Sequence, residues 1–132
     1  MSKNDELMKA AMAALDHAYA PYSKFHVGAA IRDENGVIHT GVNVENAAYP
    51  QGSCAEAGAI AAMVMAGGRR ITAIAVAGQG DLLCTPCGGC RQRIREFAES
   101  STPILICGDD VIKAEFTLAE LLPESFGPDH LG

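Results

Sequence analysis

The sequence has no concentration of basic charge. Ten Lys and Arg stand against 16 Asp and Glu, for a formal net charge of −6, and the basic residues are scattered. Wide contact with a polyanion needs clustered Lys and Arg, so a nucleic-acid partner is not expected and a small-molecule substrate suits the surface better. A long apolar run is also missing. The first residues, MSKNDELMKAAMAALDHAYAPYS, are interrupted by Asp5, Glu6, Lys9 and Asp16, which predicts neither a signal peptide nor a membrane span and leaves a cytoplasmic location as the expectation. There is no low-complexity tract and no internal repeat. The five cysteines are an odd number, unsuited to a full disulfide framework, and in a reducing cytoplasm paired cysteines act more often as metal ligands or catalytic groups. The 132 residues, 48% of them hydrophobic, predict one folded domain over residues 1–132.

Leu7, Ala11, Leu15 and Ala18 recur at helical spacing and predict an amphipathic first helix that closes before Pro21. HVGAAIR (26–32) and VIHTGVNV (37–44) read as short strands, joined by DENG, in which Asn35-Gly36 is a hairpin-turn signal. After an irregular stretch over 45–53, CAEAGAIAAMVMAGG reads as an alanine-rich helix ending at Gly67-Gly68. ITAIAVAG (71–78) is apolar almost throughout, the pattern of a strand buried on both faces. A helix follows from about Cys87, then strands over 103–107 and 111–117, and a short helix opened by a Thr117/Glu120 capping box and stopped by Pro123. The order α-β-β-α-β-α-β-β-α predicts a five-stranded mixed sheet with helices on its faces, an α/β sandwich.

Three cysteines fall within CTPCGGC, at Cys84, Cys87 and Cys90. Two of the predicted helices begin at cysteines: Ser53-Cys54-Ala55-Glu56 opens one and Pro86-Cys87-Gly88-Gly89-Cys90 the other. A helix N-terminus offers free N–H groups and the positive end of its dipole, and both favour thiolates. Cys87 and Cys90 lie one turn apart. If the two helices start side by side, Cys54 joins them, and three thiolates hold a tetrahedral zinc ion with its fourth position open, the arrangement of a catalytic site. Glu56 stands two residues beyond Cys54, placed to take a proton from water and hand it on. Cys84 lies in the preceding loop and reads as a non-ligand.

At these residues the sequence resembles the zinc-dependent cytidine deaminases of the small-subunit, homotetrameric type. APYSKFHVGAA (20–30), GVNVENAAYP (41–50), CAE (54–56), PCGGCRQ (86–92) and LLPESF (121–126) match segments of that family in order. The resemblance implies the three-layer α/β/α sandwich of the cytidine deaminase type and one zinc ion per subunit, held by Cys54, Cys87 and Cys90. It implies hydrolytic deamination of cytidine and 2′-deoxycytidine in pyrimidine salvage, by zinc-activated hydroxide attack at C4 with Glu56 as proton shuttle. It assigns Asn43 and Glu45 to the ribose 3′-hydroxyl, Phe25 and Val27 to the base or sugar, and backbone groups of Ala55 to the pyrimidine edge. Tyr49 and Phe126 are expected to reach a neighbouring subunit's pocket. From the residues alone, Phe25 and Phe126 read as core packing and Asn43 as a turn residue.

One departure stands out. Many tetrameric relatives carry Arg directly after C-A-E, and this chain has Ala57. Zinc with three thiolates keeps a net negative charge, for which helix-end N–H groups and Arg91 are the expected compensation. Two rival functions are a deaminase of another cytosine nucleoside, such as a blasticidin-type antibiotic, and a non-enzymatic zinc-stabilised module. The first is expected to lack the full set of Asn43, Glu45 and Asn46. The second requires a fourth protein ligand, for which Cys84 is the only nearby thiol.

Overall fold

The computed structural model describes residues 1–132. Its elements follow the predicted order: α1 (Lys3–Leu15), β1 (Gly28–Asp33), β2 (Ile38–Val42), α2 (Ala55–Met65), β3 (Ile71–Ala77), α3 (Gly88–Phe97), β4 (Pro103–Gly108), β5 (Val111–Thr117) and α4 (Leu118–Leu121). Two 3₁₀ turns, Tyr49–Gln51 and Pro128–His130, add to these. The five strands form one sheet in the order β2-β1-β3-β4-β5. Only β3 and β4 pair in parallel, while β1 with β2, β1 with β3, and β4 with β5 are antiparallel.

Alternation along the central strands divides the core in two. Ala73, Ala75 and Ala77 of β3, with Leu105 and Cys107 of β4, face α1 through Leu7, Met8, Ala11 and Leu15. Ile74, Val76, Ile104 and Ile106 point to the opposite face, against Ala55, Ala59 and Met63 of α2, Ile94 of α3 and Leu118 of α4. The architecture is therefore a three-layer α/β/α sandwich over a five-stranded mixed sheet. β3 is buried on both faces, as its sequence predicts.

Small residues set how closely the layers approach. A Cβ on Gly41 would lie 2.2 Å from the Ala59 amide nitrogen, and one on Gly28 would lie 2.3 Å from the Ala11 carbonyl oxygen. Bare backbone at these two positions brings α2 onto β2 and α1 onto β1.

Three boundaries differ from the sequence reading. The helical spacing extends to Ala18, but α1 stops at Leu15; beyond it the Tyr19 amide donates to the Asn43 carbonyl (3.0 Å) and Tyr19 bridges to Val44. His26 and Val27 precede β1 rather than belonging to it, because side chains take their amides: His26 donates to Gln79 Oε1 and Val27 to Asn43 Oδ1, each at 2.9 Å. β2 ends at Val42, two residues before the end of the predicted strand. The Thr117/Glu120 capping box is present at α4.

Candidate active site

Cys54 is the N-cap of α2 and Cys87 the N-cap of α3, both with extended backbone. Both helices pack on the same face of the sheet, which sets their N-termini together. Cys90, in the first turn of α3, is completely buried. The sulfurs of Cys54, Cys87 and Cys90 all lie within 4.8 Å of one another. Three sulfurs at about 2.3 Å from one zinc ion stand about 3.8 Å apart, so this set fits the metal with only a slight contraction. No other trio of His, Cys, Asp or Glu in the chain is grouped closely enough to hold a metal ion, and all five cysteines are free.

The surroundings suit the chemistry of that set. Burial pushes the Cys54 and Cys90 thiols up from their ordinary values, and the charge of Glu56 adds to the effect at both. Cys87 is exposed, and the backbone N–H of Cys90 draws its thiol down. A bound cation is what converts such buried thiols to thiolates, with release of their protons. Glu56, 4% exposed, has its carboxyl raised above the ordinary range by burial. Its own amide, the Cys90 side chain and the charge of Arg93 act in the opposite direction.

Beside the three sulfurs lies a pocket of about 320 Å³. Its lining includes Val27, Asn43, Glu45, Cys54, Ala55, Glu56 and Cys87, together with Cys84 and Thr85. Seven residues singled out in the sequence thus share one cavity. Asn43 and Glu45 are held firmly at its rim. Asn43 Oδ1 accepts from the Val27 amide and Nδ2 donates to the Phe25 carbonyl (2.8 Å), which braces the segment carrying both residues. Glu45 Oε1 accepts the Tyr22 and Ser23 amides at 2.9 and 3.0 Å, and Oε2 accepts Ser23 Oγ. The Ser23 hydroxyl, followed by the Ser23 and Tyr22 amides, holds the Glu45 carboxyl below its ordinary value. Tyr22 and Ser23 lie within the family-like segment APYSKFHVGAA, where nothing marks them as partners of Glu45; the structure discloses that role.

Three other predicted residues lie outside this lining. Phe25 is 42% exposed, and its Cζ would lie 3.6 Å from a Cβ placed on Gly78. Tyr49, 77% exposed, lines an adjoining depression with Tyr22 and Glu45 and meets the Tyr22 ring edge-on at 6.2 Å. Phe126 is 55% exposed and stacks on His130 at 4.9 Å. Neither Phe25 nor Phe126 belongs to the buried core, so the core-packing reading fails for both. Cys84 is half-buried against Gly78 and stands outside the metal-binding trio. No fourth thiol closes the site.

The structure gives Arg91 a different task from the one its place beside Cys90 suggested. Its Nε donates to the Pro86 carbonyl (2.6 Å), Nη1 to the Leu121 carbonyl (2.8 Å) and Nη2 to Thr85 Oγ1 (3.3 Å). Those bonds tie the loop before α3 to the end of α4. The guanidinium that meets a site sulfur is that of Arg93, whose Nη1 lies 3.9 Å from Cys90 Sγ. On a helix, residues three apart share a face and adjacent residues do not, a signal already contained in the spacing.

Two neighbouring helix N-termini, three convergent thiols, a buried carboxyl and an adjoining cleft define a metal-dependent enzyme site. The sequence model of the cytidine and deoxycytidylate deaminase zinc-binding region matches residues 1–106. The chain is 40% identical over 127 residues to a cytidine deaminase of Sporosarcina psychrophila, an alignment covering 96% of this chain and 93% of the relative. It is 43% identical over 115 residues to a cytidine deaminase of Mycobacterium tuberculosis, covering 86% and 82%. The crystal structure of cytidine deaminase from Burkholderia pseudomallei superposes with a TM-score of 0.88 at 38% identity, covering 96% of this chain and all of that one. The chain belongs to the cytidine deaminase family.

Proposed function

We propose that the chain catalyses the hydrolytic deamination of cytidine and 2′-deoxycytidine to uridine and 2′-deoxyuridine, with release of ammonia. The observation that carries this reading is the meeting of Cys54, Cys87, Cys90 and Glu56 at the wall of one nucleoside-sized pocket. Cys54, Cys87 and Cys90 would hold a zinc ion, which when bound would lower the pKa of water and so make it a nucleophile at neutral pH. Glu56 takes the proton released as oxygen adds to C4 of the base. It delivers that proton to N3, then takes the proton of the new C4 hydroxyl and passes it to the amine, so that the C4–N bond breaks, ammonia departs and the C4 carbonyl forms. A carboxyl raised by burial suits this exchange, because its affinity for a proton lies nearer those of its partners.

Around that centre the remaining residues orient the nucleoside. The amide of Asn43 and the carboxylate of Glu45 receive the ribose 3′-hydroxyl, using the hydrogen-bonding capacity left after their internal bonds. Ala55 presents backbone groups to the pyrimidine edge, and Phe25 and Val27 pack on base or sugar. Residues 1–132 act as one cytidine deaminase-like domain, and four copies assemble so that Tyr49 and Phe126 serve neighbouring pockets. Both side chains are free to meet a neighbouring copy, at 77% and 55% exposure, and aromatic residues are enriched at subunit interfaces. The work is pyrimidine salvage in the cytoplasm, a reading supported by five free cysteines and by the absence of any helix long and apolar enough to cross a membrane. The acidic surface argues against a nucleic-acid partner. The antibiotic-deaminase alternative is not favoured, because Asn43, Glu45 and Asn46 are all present.

Chromatography of zinc-loaded protein incubated with cytidine, deoxycytidine, free cytosine and a cytidine monophosphate tests the reading. It predicts uridine and deoxyuridine in step with ammonia from the two nucleosides. Conversion of free cytosine or the nucleotide alone contradicts it.

A further inference from the structure

Zinc bound by three thiolates retains a net negative charge, which opposes both retention of the metal and any further negative charge that develops beside it during reaction. The residue after Glu56 is Ala57, which carries no charge. The three arginines of α3 differ sharply in what they meet. Arg95 is committed to the C-terminal segment, with Nε on Ser125 Oγ (2.9 Å) and Nη2 on Asp129 Oδ1 (2.8 Å). Arg91 is committed to three uncharged oxygens. Arg93 has no carboxylate partner, and its one hydrogen bond is the 3.9 Å contact of Nη1 with Cys90 Sγ.

Gly89 makes room for that contact. A Cβ at this position would sit 3.1 Å from Arg93 Nη1, tighter than ordinary van der Waals contact. Bare backbone before Cys90 therefore lets the guanidinium lie over the first turn of α3 and reach the sulfur.

We propose that Arg93, seated in the gap left by Gly89, is the cation that offsets the charge of the three-thiolate zinc centre. The proposal rests on the zinc-site reading above. Arg93 acts through Cys90 and touches no substrate, so it is a positioning residue for charge. As a partner to a metal ligand, its loss weakens zinc binding by about 10- to 100-fold.

The test compares zinc affinity of the full chain, measured by competition with a chromophoric chelator, for wild type, Arg93→Gln, Arg93→Lys and Arg95→Gln. A cobalt-substituted series provides a second readout, because a cation at a thiolate raises the energy of its sulfur-to-metal charge transfer. The proposal predicts weaker zinc binding in Arg93→Gln and a cobalt charge-transfer band moved to longer wavelength. Arg93→Lys should recover part of both changes, and Arg95→Gln, whose partners lie in the C-terminal segment, should show neither. Equal affinity and an unmoved band in Arg93→Gln overturn the role of Arg93 and leave the zinc site standing. A wild type that takes up no zinc overturns both.

Discussion

Glu56 is the one carboxyl that the fold buries beside the three sulfurs, and its burial is tolerable only because the site can use it. Water would solvate the ionised group better than this buried position does. Cys87 and Cys90 share an equally specific placement, whereas Cys84, three residues earlier, belongs to the packing around Gly78. Metal analysis separates them. Cys84→Ser should retain one zinc ion per chain and most activity, while Cys87→Ser and Cys90→Ser should each lose the stoichiometric metal. The three sulfurs could be read from the sequence because each is tied to a helix start by a local signal, Ser-Cys-Ala-Glu or Pro-Cys-x-x-Cys. The partners of Asn43 and Glu45 could not. Apart from the Ser23 hydroxyl, they are backbone groups of Tyr22, Ser23, Phe25 and Val27, and every residue type carries the same backbone.

At the scale of elements, α2 reaches the metal only because β2 admits it closely. The Cβ of Gly41→Ala would enter the backbone of Ala55 and Ala59. The substitution should therefore cost about 1–3 kcal/mol by urea denaturation, the usual cost of overpacking, and should move the N-cap Cys54 relative to α3. The β1–β2 hairpin is held by a second device. Asp33 Oδ1 accepts from the amides of Asn35 (2.8 Å) and Val37 (3.0 Å), and Oδ2 lies 2.8 Å from His39 Nε2. The hydrogen bond with His39, together with the two amides, holds the Asp33 carboxyl below its ordinary value of 3.8. A lowered native pKa means that the unfolded chain binds the proton more readily, so the contribution is present above the unfolded pKa and lost as pH falls through the native one. Wild type should therefore lose stability more steeply than Asp33→Asn between about pH 5 and about pH 3, as followed by denaturation at each pH. The hairpin itself was legible from Asn35-Gly36, but its turn differs from the two-residue type that signal favours: within it only Gly36 takes positive φ (+80°), and its amide donates to the Asp33 carbonyl (3.0 Å). The order β2-β1-β3-β4-β5 was not legible, because strand pairing between distant segments leaves no local pattern. Arg91 shows the converse error, since adjacency in sequence to Cys90 is not adjacency on a helix.

For the molecule as a whole, the exposed apolar side chains bear on assembly. Met65, Leu82, Tyr49 and Phe126 are 90%, 87%, 77% and 55% exposed, an expensive arrangement for an isolated protein in water. Light scattering should give four times the 13.8 kDa chain mass. Phe126→Ala should raise KM for cytidine by about tenfold, as expected for loss of an aromatic contact worth about 1.4 kcal/mol, with zinc content unchanged. A monomer of full activity, or an unaltered KM, would count against shared sites. The central claim, that these residues form a zinc-dependent deaminase driven by one buried carboxyl, is tested most directly by the loss of ultraviolet absorbance when cytidine is mixed with zinc-loaded wild type and, in parallel, with zinc-loaded Glu56→Gln. The account predicts steady conversion by wild type and a rate about 10²- to 10⁴-fold lower in the variant at equal zinc content. An unchanged spectrum with wild type, or undiminished turnover in the variant, would contradict it.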